Sequence, residues 1–285
     1  MERKKEKVGK FIRVLFKRKI VLAGAIGIGF FLIVAVAAPL LAPYDPNKVD
    51  FAASLSGPSM THWLGTDMHG RDVLSRIMYG TRVSLIIGVF AVMIACAIGS
   101  VLGMIAGYFG GIADDIITRF TEAVRAIPQV ILAMALTAVF GGGIRNLAII
   151  LGISNMAAYI RMMRGQVLSV KQADYIMASK LQGVSSFGIM FRHLLPNCLS
   201  PIIVLMTQQV GGTILAESGL SFLGLGISAP TATWGTMVSE GRNYLLNNPV
   251  FSLAPGICVA LLVICLNMFG DGIRDALDPR LRGEG

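Results

Sequence analysis

Charge is scarce in this chain. Only 14% of its 285 residues are charged, 54% are hydrophobic, and the mean hydropathy is +0.70. Soluble domains carry about 25% charged residues, and charge is costly in hydrocarbon. The deficit therefore excludes an ordinary soluble fold and makes a bilayer the solvent. Cysteine is also sparse. Cys96, Cys198, Cys258 and Cys265 form no Cys-x-x-Cys pair and no metal-ligand spacing, and they read as small apolar packing residues. His62, His69 and His193 are scattered, so no shared metal site is expected. There is no Gly-x-x-x-x-Gly-Lys-Ser/Thr phosphate loop, no Gly-x-Ser-x-Gly elbow and no His-Glu-x-x-His pair. The apolar runs lack the Asp, Glu and His chains of proton-coupled carriers and the carbonyl filter of potassium channels. No enzyme, cofactor or metal is expected. What remains is the build of a transport pore whose energy must come from a partner.

Long apolar runs are what the chain does have. A span needs roughly 20 mostly apolar residues. Six segments qualify: 20–41, 84–109, 126–140 (entered from about 116), 144–159, 199–215 and 251–269. The expected fold class is an all-α integral membrane protein with six transmembrane helices. Basic residues set the orientation. Nine of the 25 lie in residues 1–19, which places this arm in the cytoplasm. Six spans then put 161–195 and 271–285 on the same side. These segments carry Arg161, Arg164, Lys171, Lys180, Arg192, Arg274, Arg280 and Arg282, whereas the opposite side has fewer. Both termini are thus cytoplasmic. The first run exceeds the 7–15 residues of a signal-peptide core, so it is read as an uncleaved anchor. Orientation and anionic lipid account for the formal charge of +9. No interleaved basic and aromatic surface supports nucleic acid.

The expected organisation is an arm (1–19), a first helix (20–41), an external segment (42–82), a five-helix core (83–270) containing a cytoplasmic segment (162–196), and a tail (271–285). Pro39, Pro43 and Pro46 stop the first helix. From Asp72, the apolar residues Val73, Leu74, Ile77 and Met78 recur at helical spacing. They predict an amphipathic helix on the outer membrane surface, with Trp63 at the interface. Gly107 to Gly111 reads as a tight inner turn. Asp115–Arg119, Arg119–Glu122 and Glu122–Arg125 have the spacing of self-paired charges on a helix face. Alternatively, Glu122 or Arg125 sits near an inner gate. Gln208 and Gln209 either bond between helices or line a water-filled path. The Gly-rich segment from Glu217 to Asn248 reads as external, with a short helix dipping back. No internal repeat is visible.

One polar island interrupts the apolar chain. Asp174-Tyr175-Ile176-Met177-Ala178-Ser179-Lys180-Leu181-Gln182-Gly183 is closed by Phe191-Arg192-His193-Leu194-Leu195-Pro196-Asn197. It reads as a short helix, a glycine break, a second amphipathic piece and a proline. The island resembles the cytoplasmic signature of binding-protein-dependent ABC importer permeases: Glu-Ala-Ala, three residues, Gly, then a spaced Ile-x-Leu-Pro. Met177-Ala178-Ser179, Gly183 and Leu195-Pro196 stand at those places. Met177 replaces the acidic residue, and His193 stands at the isoleucine position. Further likeness runs from about residue 10 to 282. Leu64-Gly65-Thr66-Asp67, Gly70 to Arg76, Gly107 to Gly111, Leu223 to Gly226, Trp234 to Met237 and Gly270 to Pro279 resemble the C-type permease of dipeptide, oligopeptide, glutathione or nickel importers.

The resemblance implies a type I importer permease fold in a prokaryotic inner membrane. The implied partners are a homologous permease subunit, two cytoplasmic ATPases and an external binding protein. The island would be a coupling helix, with Asp174, Ala178, Ser179, Lys180, Gly183, Phe187, Phe191, Arg192, His193, Leu195 and Pro196 serving the ATPase contact. Gly183 suits a sharp turn, and Pro196 suits the first turn of the next helix. The expected cargo is a di- or oligopeptide, with nickel, a nickel chelate or glutathione as the rival. A stand-alone carrier or channel is the reading from a different class.

Overall fold

Apolar runs bounded by glycine and proline fold into helices throughout. The computed structural model describes residues 18–277, so most of the basic arm and the tail from 278 onward lie outside the described residues. The helices are α1 (Lys19–Leu41), α2 (Val73–Phe109), α3 (Gly111–Ala126), α4 (Gln129–Phe140), α5 (Ile144–Val170), α6 (Asp174–Leu181), α7 (Ser186–Phe222), α8 (Trp234–Gly241) and α9 (Pro249–Leu277). Five of them (α1, α2, α5, α7 and α9) are long and apolar enough to cross a membrane. The third expected span is a bent pair. Helices α3 and α4 meet at 90° across Ile127-Pro128, and they complete a sixth span only if the pair crosses once. Proline denies the residue before it the helical conformation, which explains the break. The 12 residues of α4 reach about 18 Å, short of the roughly 30 Å of hydrocarbon.

Helix α2 corrects the expected surface helix. Val73 to Met78 are the first turns of one 37-residue helix, capped by Asp72 through the Ser75 amide. At 1.5 Å per residue it is about 55 Å long, well beyond a bilayer core. Its apolar start does not face lipid. Val73 and Ile77 are buried with Met237 of α8 and Phe251 of α9. Trp63 stays exposed. Farther along α2, Gly99, Gly103 and Gly107 form a stripe against α5. A Cβ at Gly103 would come 2.3 Å from the Ile160 carbonyl oxygen. Small residues at this spacing let two helices approach closely in lipid, where packing replaces the hydrophobic effect.

Around that pair, α7 adds Leu194, Cys198 and Ile202 to a core with Met104, Tyr159, Met163 and Val167. Helix α9 packs on α7 and α1, and Gly272 meets Val21. At the end that carries residues 42–72, α8 lies under the loop. Trp234 is fully buried, donates from Nε1 to the Ile77 carbonyl (3.1 Å) and meets the Phe31 ring edge-on. The short helix expected in the Gly-rich segment is therefore present. Its expected start is not, because α7 continues to Phe222 and keeps Glu217 inside the helix, fully buried. The carboxylate is tolerated there because Ser84, Ser221 and Ser218 donate to it at 3.3, 2.8 and 3.4 Å. A buried polar group needs such partners.

Candidate functional site

The island sits at the opposite end of the bundle from residues 42–72. Helix α5 ends at Val170, and α6 begins with Asp174 in its first turn and has Lys180 in its last. Both charges complement the helix dipole. Of the α6 residues only Ile176 is buried, inside the cluster of Met163, Val167, Met190 and Leu194. The rest of the helix is left outside, with Met177, Ala178 and Leu181 exposed and Ser179 bonded back to the Tyr175 carbonyl.

Gly183 reverses the chain at φ +75°, with the Val184 amide donating to the Ser179 carbonyl at 3.1 Å. An L residue pays for this left-handed conformation and glycine does not. Ser185 caps the next helix through the Gly188 amide (3.2 Å). Phe187 and Phe191 then stack at 4.4 Å. The chain winds as a π-helix over Ile189–Leu194 before Leu195 and Pro196 start the regular part of α7. Single π turns inside α-helices recur at functional sites. Arg192 is exposed, and the His193 carbonyl accepts from Asn197. Tyr175 (45% exposed), Met177 (53%), Leu181 (90%) and Phe187 (67%) give this polar segment an apolar outer face. Lys180 and Arg192 are exposed in the same segment.

The expected pathway residues are not gathered in one place. Gln208 donates to Asp271 of α9 at 3.3 Å, which is a bond between helices. It also borders a cavity of about 350 Å³ with Met162, Ser200, Leu205 and Arg274. Gln209 accepts from the Thr213 hydroxyl through its backbone carbonyl, and Thr213 in turn accepts from Asn155 at 3.1 Å. Glu122 and Arg125 are exposed on α3. The expected self-pairing there is corrected. Among the described residues, no ion pair joins Asp115, Arg119, Glu122 and Arg125. The charge that pairs is Asp114, which accepts from Nε and Nη2 of Arg164 at 2.5 and 2.6 Å. Bidentate geometry across two helices outcompetes flexible neighbours on one exposed face.

Sequence reasoning missed two polar groups. One is the serine cradle of Glu217. The other joins Asp67, Arg71, Arg76 and Glu240 beneath the loop, with Arg71 Nε on Asp67 at 2.6 Å and Arg71 on Glu240 at 3.2 Å. Only the Asp67–Arg71 spacing was visible in the chain, and loop residues carry no periodicity to give it meaning.

The comparisons with known proteins agree with this architecture. Residues 99–283 match the family described as "Binding-protein-dependent transport system inner membrane component", and residues 9–58 match the "N-terminal TM domain of oligopeptide transport permease C". A dipeptide transport system permease protein of Alkalihalophilus pseudofirmus is 42% identical over 94% of this chain and 88% of its own. A glutathione transport system permease protein of Pectobacterium atrosepticum is 41% identical over 91% and 87%. A probable D,D-dipeptide transport system permease protein of Escherichia coli is 40% identical over 96% and 92%. In fold, the chain is similar to one of the MetNI methionine ABC transporter in inward-facing conformations, with TM-score 0.57, 18% identity, and coverage of 71% of this chain and 96% of that one. With its helices, its island and these relatives in agreement, the chain belongs to the family of inner membrane components of binding-protein-dependent transport systems and is a permease of the ABC importer type.

Proposed function

We propose that this permease couples to cytoplasmic ATPases through residues 174–196 and forms half of a pathway for di- or oligopeptides. A homologous permease supplies the other half, and an external binding protein delivers the cargo. Both termini lie in the cytoplasm of a prokaryote, as the basic residues of the sequence indicate. The observation that carries this reading is the apolar face of Tyr175, Met177, Leu181 and Phe187 on a segment anchored by buried Ile176. An apolar patch in water gains from a partner's groove, and a helix pinned at one residue can move as a unit with that partner. The relatives named for dipeptide, D,D-dipeptide and glutathione all point to short peptides, which favours a peptide over nickel or its chelate.

The test uses a cysteine-free form of the assembled importer carrying Leu181→Cys. Oxidation is expected to cross-link it to an ATPase subunit bearing a cysteine in the docking groove. A position that resists every such partner, or that reacts from outside intact cells with an impermeant thiol reagent, overturns the proposal. A stand-alone carrier would also take up cargo with no ATPase present.

A second expectation concerns Gln208 and Gln209. Cysteines at these positions should react with water-soluble thiol reagents in some nucleotide states and not in others. Uniform reactivity across states favours plain helix packing, of the kind that the Gln208–Asp271 bond provides.

A further inference from the structure

The chain reaches α6 from α5 and leaves it for α7, yet the coupling segment has a third attachment. The corner between α2 and α3, which turns at Gly110 (φ +67°) and Gly111 (φ +54°), is gripped from several sides by that segment and the end of α5. Arg164 holds Asp114 with two bonds. Lys171 Nζ donates to the Gly107 carbonyl at 2.8 Å, one of the last-turn carbonyls that a helix leaves without a partner. Lys180 Nζ stands 5.2 Å from the centre of the Tyr108 ring, within cation–π range. The Tyr108 hydroxyl donates to Ser186 Oγ at 3.5 Å. Phe109 meets the Tyr108 ring edge-on at 5.1 Å.

Tyr108 therefore spans the mouth of the Gly183 turn, touching Lys180 before it and Ser186 after it. Besides this ring, the turn leans on the bundle through Ile176 before it and Val184, Ile189 and Met190 after it. Glycine at 183 makes the reversal easy but does not stiffen it. The ring adds a support at the turn itself, reaching residues on both sides of Gly183 from the end of α2. A lever needs two points to transmit a thrust without pivoting. Helix α2 is the natural receiver, because its glycine stripe packs it against α5 along much of its length.

We propose that Tyr108 is a positioning residue for energy coupling: by clasping Lys180 and Ser186 across the Gly183 turn it delivers the movement of the docked segment to α2. This inference rests on the reading that residues 174–196 dock on an ATPase. In this role Tyr108 acts through the turn and not on nucleotide or cargo directly.

The experiment reads ATP hydrolysed per peptide imported by the complete importer in proteoliposomes, together with subunit assembly. Tyr108→Leu is expected to raise that ratio about three- to five-fold, the scale that one cation–π contact sustains. Tyr108→Phe keeps the ring and should stay within about two-fold of the parent, since only a long hydroxyl contact is lost. Lys180→Met should raise the ratio as well, and the double variant with Tyr108→Leu should be no worse than the larger single effect, the mark of one shared contact. An unchanged ratio in assembled Tyr108→Leu, or full additivity in the double variant, overturns the inference. If Tyr108→Leu does not assemble, Lys180→Arg against Lys180→Met reads the same contact: arginine should hold the ratio and methionine should not, and equal ratios overturn it. The Leu181→Cys cross-link in the same preparation separates the two claims. Its absence sinks the docking itself, whereas its presence beside an unmoved ratio sinks only the role of Tyr108.

Discussion

Gly183→Val is expected to lower ATP-driven uptake by about ten-fold while the protein still inserts. The magnitude comes from the backbone. Residue 183 sits at φ +75°, where an L side chain costs about 1–2 kcal/mol and a β-branched one is a genuine outlier. No atom lies within 4 Å of a Cβ built there, so the penalty is conformational and not a clash. About 1.4 kcal/mol shifts the population of the turned form ten-fold. The turned form fixes exposed Leu181 and Phe187 relative to each other on either side of Gly183, so its loss disperses the surface that the ATPase is proposed to grip. Gly183→Asn should retain most uptake, because asparagine visits this conformation readily. Gly183→Asp shares that backbone tolerance but adds a negative charge to the apolar face. It is expected to uncouple transport by spoiling the contact, with weaker ATPase association. The measurement is peptide uptake beside ATPase co-purification. Normal uptake and association in the valine and aspartate variants would remove the turn from the mechanism.

The island was legible in the sequence because its signals are local. A glycine at a reversal, a proline at a helix start and a charged stretch among apolar runs each mean something without knowledge of the fold. The spans were legible for a similar reason: composition over about 20 residues decides between lipid and water. What failed were features fixed by distant partners. Val73 and Ile77 recur with the period of a surface helix, and the same period serves a buried helix start. Only Met237 and Phe251, far along the chain, decide between them. Glu217 opens the Gly-rich segment that the sequence places outside the membrane, whereas the structure buries it inside α7. Ser218 and Ser221 lie close by in sequence, but the third donor, Ser84, comes from 133 residues away on α2. At Ile127-Pro128 the sequence announces a break but carries no angle, since packing of the following helix sets the 90° turn. The Asp114–Arg164 bond was missed for the same cause: nearer neighbours on α3 offered pairs of ordinary spacing, and the structure chose the partner held in place across two helices.

Asp67→Ala is expected to be the most destabilising single change outside the apolar core. The Asp67 carboxylate is fully buried. One oxygen accepts from the amides of His69 and Arg71 at 2.8 and 2.9 Å, and the other takes Arg71 Nε at 2.6 Å. Arg76 Nε stands 3.4 Å from that same oxygen, close enough for charge attraction without a hydrogen bond. Glu240, one-fifth exposed, completes the group from α8. Removing Asp67 leaves two buried guanidinium groups facing one partly hydrated carboxylate. Breaking a buried pair in this way costs about 3–5 kcal/mol, since the stranded charge keeps its desolvation penalty. That is a large share of the roughly 5–15 kcal/mol that holds a folded domain together. Thermal unfolding of the purified permease in lipid nanodiscs should show a clear drop in midpoint for Asp67→Ala. Asp67→Asn should fall less, because the amide still accepts from the backbone. Glu240→Ala should fall least, since water can reach the place of a partly exposed carboxylate. An Asp67→Ala midpoint equal to the parent's would mean that the loop is not clamped by charge at all. The ordering has a mechanical consequence. The loop over residues 42–72 is fastened to α8 and the start of α2 by buried charge, whereas the island is held by apolar packing of Ile176, Ile189, Met190 and Leu194, by the Tyr108 ring and by a few surface bonds. The two ends of α2 are therefore held differently, by buried charge at its start and by apolar packing and partly exposed bonds at the corner beside the island.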